Sequence, residues 1–474
     1  MTISICVTSD LHGRYDKLQQ IAKQLKKLQP DIILDNGDFL QGSLTSYYYE
    51  QINPQIHPML NLANEIGYTA AIFGNHEFNY PIESIESMRR ACHFPWISAN
   101  IGDFAKPFIL KEVRGKTVAI IGVTTHYTPL WDEQQFTASL QFSDALETAK
   151  HWVHYVREHE QPDYIVLSYH GGFTNDPVSN SPFAHHTGEN QANDMLQIPF
   201  VDALITGHQH LQIATVVNGI PVIQPGANGN CIGCITLGEK PEAELIQMPV
   251  TKTRYPTNVQ HWLQTKIGYT DIDFTYAGLL QSRIHKPKLV DFVHDVQLQT
   301  TNADISVVEL MYHEHGGFQG FITNEDILSN LSRPNTLKVL ELTGAEILDA
   351  LEQCATIFAV NDDGDIDFSY NVKFDELQPY LYDYWGDIDY AIDVSKTVGQ
   401  RIHDVFYKGQ PLQREKTYSV VMNSYRATGV EFPMFKSKVC LYESKQILPA
   451  LLLEHVKQHQ PLQYTSHGTI SVHK

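Results

Sequence analysis

Apolar positions in the first half of the chain alternate between two rhythms. Ile3 to Ser9 is a β-branched run ending in Asp10-Leu11-His12-Gly13; Leu18, Ile21, Ala22, Leu25 and Leu28 then recur at helical spacing up to Pro30. The same strand, polar loop and helix unit returns. Ile32 to Leu34 lead into Gly37-Asp38, and Ala70 to Phe73 lead into Gly74-Asn75-His76-Glu77, with Ile82, Ile85 and Met88 in helical register behind them. Val118 to Val123 form another apolar strand, Tyr164 to Tyr169 stop at His170, and Asp202 to Thr206 run into Gly207-His208-Gln209-His210.

Strands alternating with amphipathic helices predict a layered α/β domain, and its polar clusters fall at the carboxyl ends of strands, where such sheets bind ligands. Val216 to Cys234, with Asn218-Gly219-Ile220-Pro221 as a turn signal, reads as closing hairpin strands. A chain of 474 residues exceeds one ordinary core, so two domains are expected. The pattern loosens around Pro256, which sets the expected division at 1–250, a connecting stretch 251–280, and 281–474. The last part opens with a helix from Leu289 to Leu298 and alternates strand and helix to its end.

A formal net charge of −20 excludes the usual basis for binding long nucleic acid, which is phosphate neutralisation by lysine and arginine. A small anionic substrate stays compatible if cations are held locally. The first residues enter a strand with no basic and apolar leader pattern, and no apolar stretch approaches the roughly 18 residues of a membrane span, which points to the cytoplasm and away from a membrane. Oligomeric state is not legible. Six cysteines in so long a chain form no disulfide framework, and Cys231-Ile232-Gly233-Cys234 reads as core packing.

The chemistry lies in the strand ends. Asp10 and His12 are two apart in one loop and can reach one ion; Asp38 is a carboxylate able to bridge; Asn75 offers an amide oxygen; His170, His208 and His210 complete the set. Each alone has an ordinary reading as turn former or helix cap. Their recurrence beside glycines at successive strand ends points instead to a pair of divalent cations, for which mixed oxygen and imidazole donors suit Mn²⁺, Zn²⁺ or Fe²⁺.

The residues Asp10-Leu11-His12, Gly37-Asp38-Phe39-Leu40-Gln41-Gly42, Gly74-Asn75-His76-Glu77 and Gly207-His208-Gln209-His210 resemble the calcineurin-like metallophosphoesterases, and the whole chain resembles their two-domain nucleotidases. The resemblance implies an N-terminal four-layer α/β/β/α domain and a C-terminal α/β substrate-binding domain. It also implies hydrolysis of nucleotide phosphoesters by a hydroxide bridging two metal ions. By that resemblance Asp10, His12, Asp38 and His210 hold one ion, Asp38, Asn75, His170 and His208 the other, and His76 faces the scissile phosphate.

Two departures bear on the substrate. In the 5'-nucleotidase branch an aspartate three residues after this histidine pairs with it, whereas this chain has Asn79. Asn75 to Tyr80, Glu189-Asn190 and Asn218 to Gly226 resemble instead the 2',3'-cyclic-nucleotide 2'-phosphodiesterase/3'-nucleotidase branch. The glycine-rich loop His315-Gly316-Gly317-Phe318-Gln319-Gly320 also lacks the arginine with which it ends in 5'-nucleotidases. The resemblance further implies that Tyr382, with Trp385 in reserve, and Tyr425 sandwich a nucleobase, and that Glu431 lies near the base or ribose. The remaining alternatives are a 5'-nucleotidase/UDP-sugar hydrolase and a catalytically silent nucleotide-binding protein.

Overall fold

The computed structural model describes residues 2–131, 137–183, 187–310, 315–331, 333–369 and 381–474, and contacts divide the chain into two compact units, Met1–Val259 and Gln260–Lys474. The first unit contains two six-stranded sheets. In one, Ile3–Thr8, Ile32–Asp35, Ala70–Ile72 and Trp96–Ile97 run parallel, and Cys231–Leu237 and Glu242–Gln247 add antiparallel strands beside the first. In the other, Lys116–Thr124, Tyr164–His170, Ala203–Ile205 and Ile220–Pro225 run parallel, edged by the antiparallel strands Phe108–Val113 and Gln212–Val217.

Strict alternation explains how these sheets stack. Ile3, Ile5, Val7, Ile32, Leu34, Ala70 and Ile72 from one sheet meet Val118, Ile120, Val166, Ala203 and Ile205 from the other in a shared core. The intervening residues face outward: Cys6 and Ala71 pack with Leu18, Ile21, Met59 and Ile85 from helices Tyr15–Leu28, Pro58–Ile66 and Ile82–Ala91. On the other side Ala119, Ile121, Ile165, Leu167 and Leu204 pack with Ala149, Val153 and Val156 of helix Ala145–His159. A strand with both faces covered by apolar partners belongs to the middle of a layered fold, so the order is α/β/β/α. Helix Tyr15–Leu28 stops where Gln29 turns left-handed, at φ 48°, ahead of Pro30.

The second unit centres on a five-stranded sheet in the order Asp383–Gly386, Ile305–Glu309, Thr417–Asn423, Thr336–Thr343, Cys440–Ile447. Helices Lys288–Thr301, Gly344–Cys354 and Leu448–Gln458 accompany it, and Gly344–Cys354 begins at a capping box formed by Thr343 and Glu346. Strand Lys266–Thr270 pairs with Gly320–Thr323, so part of the stretch expected to connect the domains is regular structure inside the second unit. Buried Ile267 and fully buried Thr270 anchor it there. All six cysteines are free, and Cys6 and Cys234 face each other across antiparallel strands, as core packing requires. Among the described residues, no helix is long and apolar enough to cross a membrane.

Candidate metal centre

Both sheets of the first unit deliver polar loops to the same place. Backbone hydrogen bonds from Asp10 N to Gly37 O, His12 N to Asp38 O and Gly13 N to Phe39 O, each 2.9 Å, zip the first two loops together. From the other sheet, Gly207 N donates to Gly171 O at 3.1 Å, and the His208 amide reaches across to the Asp10 carboxylate at 3.1 Å. Asp10, His12, Asp38, His208 and His210 all take left-handed backbone angles, with φ of 54°, 47°, 56°, 70° and 62°. Such angles cost non-glycine residues on the order of 1 kcal/mol each and persist where surrounding structure enforces them, characteristically at functional sites. Glycine makes room for the convergence: a Cβ on Gly74 would lie 2.2 Å from Asp38 Oδ1, and one on Gly207 2.4 Å from Ser9 Oγ.

Two clusters result. Asp10, His12 and His210 bring donor atoms within 4.8 Å of one another, and so do Asp38, His170 and His208. His12 Nε2 lies 3.1 Å from His210 Nε2, and Asp10 Oδ1 lies 3.5 Å from the same His210 atom. In the second cluster His170 Nε2 is 3.2 Å from Asp38 Oδ2, while Asn75 Oδ1 sits 3.3 Å from His170 Nε2 and 2.9 Å from His208 Nδ1.

The outward-facing ring nitrogens test whether this donor set fits a cation. His12 Nδ1 donates to Gln41 O at 3.0 Å, His170 Nδ1 to Asn36 O at 2.6 Å, and His208 Nε2 to Glu189 Oε1 at 2.9 Å. A ring whose far nitrogen carries the proton presents a lone pair from the near one, which is the tautomer a metal ligand needs. Trp131 stacks on His208 with centroids 5.1 Å apart and further fixes that ring. The carboxylate, amide and imidazole donors therefore fit divalent cations. Burial would push the Asp38 carboxyl up, but His170, when its Nε2 is protonated rather than offered to a cation, and then His76 outweigh it and hold the group well below the usual carboxylate range.

His76 stands at the edge of these clusters. Its backbone N–H donates to Asp38 Oδ1 at 2.9 Å, and its Nδ1 donates to Asn79 Oδ1 at 2.6 Å. Glu77, which its motif alone leaves without a role, accepts from Asp38 N, Phe39 N and Gly74 N at 2.9, 2.8 and 2.8 Å and ties two loops together. Gln41 and Asn36 act through main-chain carbonyls, which carry no signal in the side-chain sequence.

Residues 3–212 match the calcineurin-like phosphoesterase family, and residues 266–437 match the 5'-nucleotidase C-terminal domain. The chain belongs to the two-domain metallophosphoesterases of the nucleotidase family. These are hydrolytic enzymes, and calcineurin-like phosphoesterases use a divalent metal pair. A 2',3'-cyclic-nucleotide 2'-phosphodiesterase/3'-nucleotidase from Yersinia enterocolitica is 23% identical to this metallophosphoesterase, over 90% of this chain and 79% of the relative. Protein UshA from Yersinia enterocolitica serotype O:8 is 23% identical over 97% of this chain and 90% of its own length. A Staphylococcus aureus structure solved with alpha-ketoglutarate is 28% identical and superposes with a TM-score of 0.91 over 100% of both chains. The 5'-nucleotidase precursor of Thermus thermophilus, at 21% identity and a TM-score of 0.67 over 100% of both chains, shares the fold.

In the second unit of this metallophosphoesterase, half-buried Tyr425 donates to Glu431 Oε1 at 3.2 Å, so two expected substrate-binding residues adjoin. Tyr382 differs from expectation. It is fully buried, packed edge-on against Phe358 and Tyr384 at centroid distances of 5.5 and 5.0 Å, and offers no face to a base in this arrangement; the reserve Trp385 is equally buried. The alternation of strand Asp383–Gly386 does not spare one face, because all its residues are buried. Beside it, Arg426 pairs with Glu309, Asp383 and Glu431, a charge cluster that no local motif announces.

Proposed function

We propose that this chain hydrolyses 2',3'-cyclic and 3'-nucleotides, with Asp10, His12, Asp38 and His210 holding one divalent ion and Asp38, Asn75, His170 and His208 holding the second. The observation that carries the branch is the pairing of His76 with an amide, Asn79 Oδ1, where the 5'-nucleotidase branch pairs this histidine with a carboxylate. The names of the relatives from Yersinia enterocolitica and Salmonella typhimurium support the same branch. Mn²⁺, Zn²⁺ and Fe²⁺ suit the donors.

When bound, such a pair lowers the pKa of water and neutralises charge on phosphoryl oxygens. The protein's part is placement. Asp38, reached by donors from both sheets, fixes the spacing of the two clusters; Glu77 holds the Asp38 and Gly74 amides in register; Gln41, Asn36 and Glu189 keep the imidazole lone pairs aimed inward. His76 Nδ1–H is committed to Asn79, which leaves Nε2 as the atom that transfers a proton to the departing alkoxide. Tyr425 and Glu431 contact the nucleoside, the ring by stacking and the carboxylate by accepting hydrogen bonds. Tyr382, first expected as the second stacking ring, serves in the core instead.

Phosphate release with Mn²⁺ from 2',3'-cyclic AMP, 3'-AMP, 5'-AMP and UDP-glucose tests the assignment. Activity on the first two supports it, and activity confined to 5'-AMP and UDP-glucose overturns it in favour of the 5'-nucleotidase/UDP-sugar hydrolase reading. Similarity to UshA across 97% of this chain is the observation that keeps that second reading open.

A further inference from the structure

We propose that a cavity within the first unit, lined by Glu50 and Glu77 beside the Asp38 and Asn75 loops, is a binding site for a small organic cation with an apolar body, such as an arylalkylamine. The cavity encloses about 540 Å³, within the range of small-molecule sites. Glu50 is half-buried, and among the described residues its carboxylate has one long hydrogen bond, from Ser84 Oγ at 3.4 Å, and no cationic partner. Burial pushes this carboxyl up, as befits an acid lacking its counter-charge. None of the described residues lining the cavity is lysine or arginine, which disfavours an anion. The one imidazole in the wall does not oppose a cation: His57 Nδ1 accepts from Met59 N at 3.2 Å, and burial pushes the ring down to about 3, so it stays neutral.

The rest of the wall suits the remainder of such a ligand. Ile56, Leu60, Ile85 and Met88 supply apolar surface. Tyr80, also in the lining, adds a hydroxyl close enough to feel the Glu50 charge. An ammonium on Glu50 would gain a charge-assisted hydrogen bond while its apolar body is removed from water.

Occupancy acts on the metal loops because the wall is shared with them. Glu77 holds the Asp38, Phe39 and Gly74 amides, and Ser46 Oγ, also in the wall, donates to Leu40 O. This coupling rests on the metal ligands proposed above, whereas the binding itself does not.

Calorimetric titration of the full chain with tryptamine and with its neutral isostere tryptophol tests the site. Tryptamine should bind saturably and at least about tenfold more tightly than tryptophol, and Glu50→Gln should erase that difference. Met88→Trp, which fills the cavity while leaving the Glu50 carboxylate in the chain, should abolish binding of both. Equal affinity for amine and alcohol, or tryptamine binding indifferent to both substitutions, overturns the proposal. Saturating tryptamine should change Mn²⁺ affinity by about threefold or more, and Mn²⁺ should change tryptamine affinity by the same factor. Tryptamine binding without that reciprocal shift overturns the coupling. A chain that binds no Mn²⁺ at all sinks the metal assignment, while the amine titration still decides the cavity.

Discussion

Replacing Arg426 with methionine removes a guanidinium shared by three carboxylates. Its guanidinium lies 2.9 Å from Glu309 Oε2 and 3.0 Å from Asp383 Oδ2, also pairs with Glu431, and sits 4.6 Å from the centroid of Phe432. Arg426 and Asp383 are only 2% and 1% exposed. Burial pushes the Asp383 carboxyl up to about 7 although Arg426 opposes the rise. An acid with a folded-state value above its unfolded one favours folding while protonated, so that contribution is present at low pH and is lost as pH rises from about 4 to about 7. Without the guanidinium the folded cluster resists ionisation still more. Near pH 8 the variant should therefore lose about 3–5 kcal/mol, the usual cost of stranding a buried charge. Near pH 5.5 the carboxyl can keep its proton, and the loss should fall to about 1–2 kcal/mol of hydrogen bonding and packing. For a unit of this size each kcal/mol is worth roughly 2–4 °C, so calorimetry should place the variant's transition roughly 6–20 °C below wild type near pH 8 and much closer to it near pH 5.5. Equal destabilisation at the two pH values would refute the reasoning.

Further outcomes follow from the two units. Asp38→Asn should weaken both metal sites together and lower kcat by about 10³-fold or more; calorimetric Mn²⁺ titration that still counts two ions at wild-type affinity would contradict its shared role. Asn79→Asp places a carboxylate on His76 Nδ1 and should raise the alkaline limb of the pH–rate profile by about one unit, whereas an unmoved limb would argue against His76 as the proton donor. His467 is drawn down by burial but held up, at about 9, by Asp295 and Asp387, the latter 2.8 Å away. The stability from this pairing is fully present below the ordinary histidine value of 6.5 and is lost as pH rises through about 9, so unfolding measured across that window should slope downward in wild type and flatten in His467→Gln.

Local order in this protein was legible because it depends on neighbours. Alternating apolar residues from Ile3 and from Val118 are enough to mark strands with two buried faces, and each candidate ligand stands where such a run ends. The family motifs could be read for the same reason, since Asp10-Leu11-His12 or Gly207-His208-Gln209-His210 are contiguous. Asp10 and the His208 amide that donates to it are 198 positions apart, and only the stacking of two sheets brings them together.

The chain pattern alone determined the α/β class and the strand-end positions of Asp10, Asp38, Asn75, His170 and His208. Tertiary structure decided the rest. Whether Tyr382 faces solvent or core is set by what covers it and the strand Asp383–Gly386 that it leads into, and here both faces of that strand are covered. Which imidazole nitrogen offers a lone pair is set by carbonyls at Asn36 and Gln41 and by the carboxylate of Glu189. Side-chain periodicity encodes which way a residue points from its own backbone; it cannot encode which distant backbone will meet it, because that depends on the packing of every layer between.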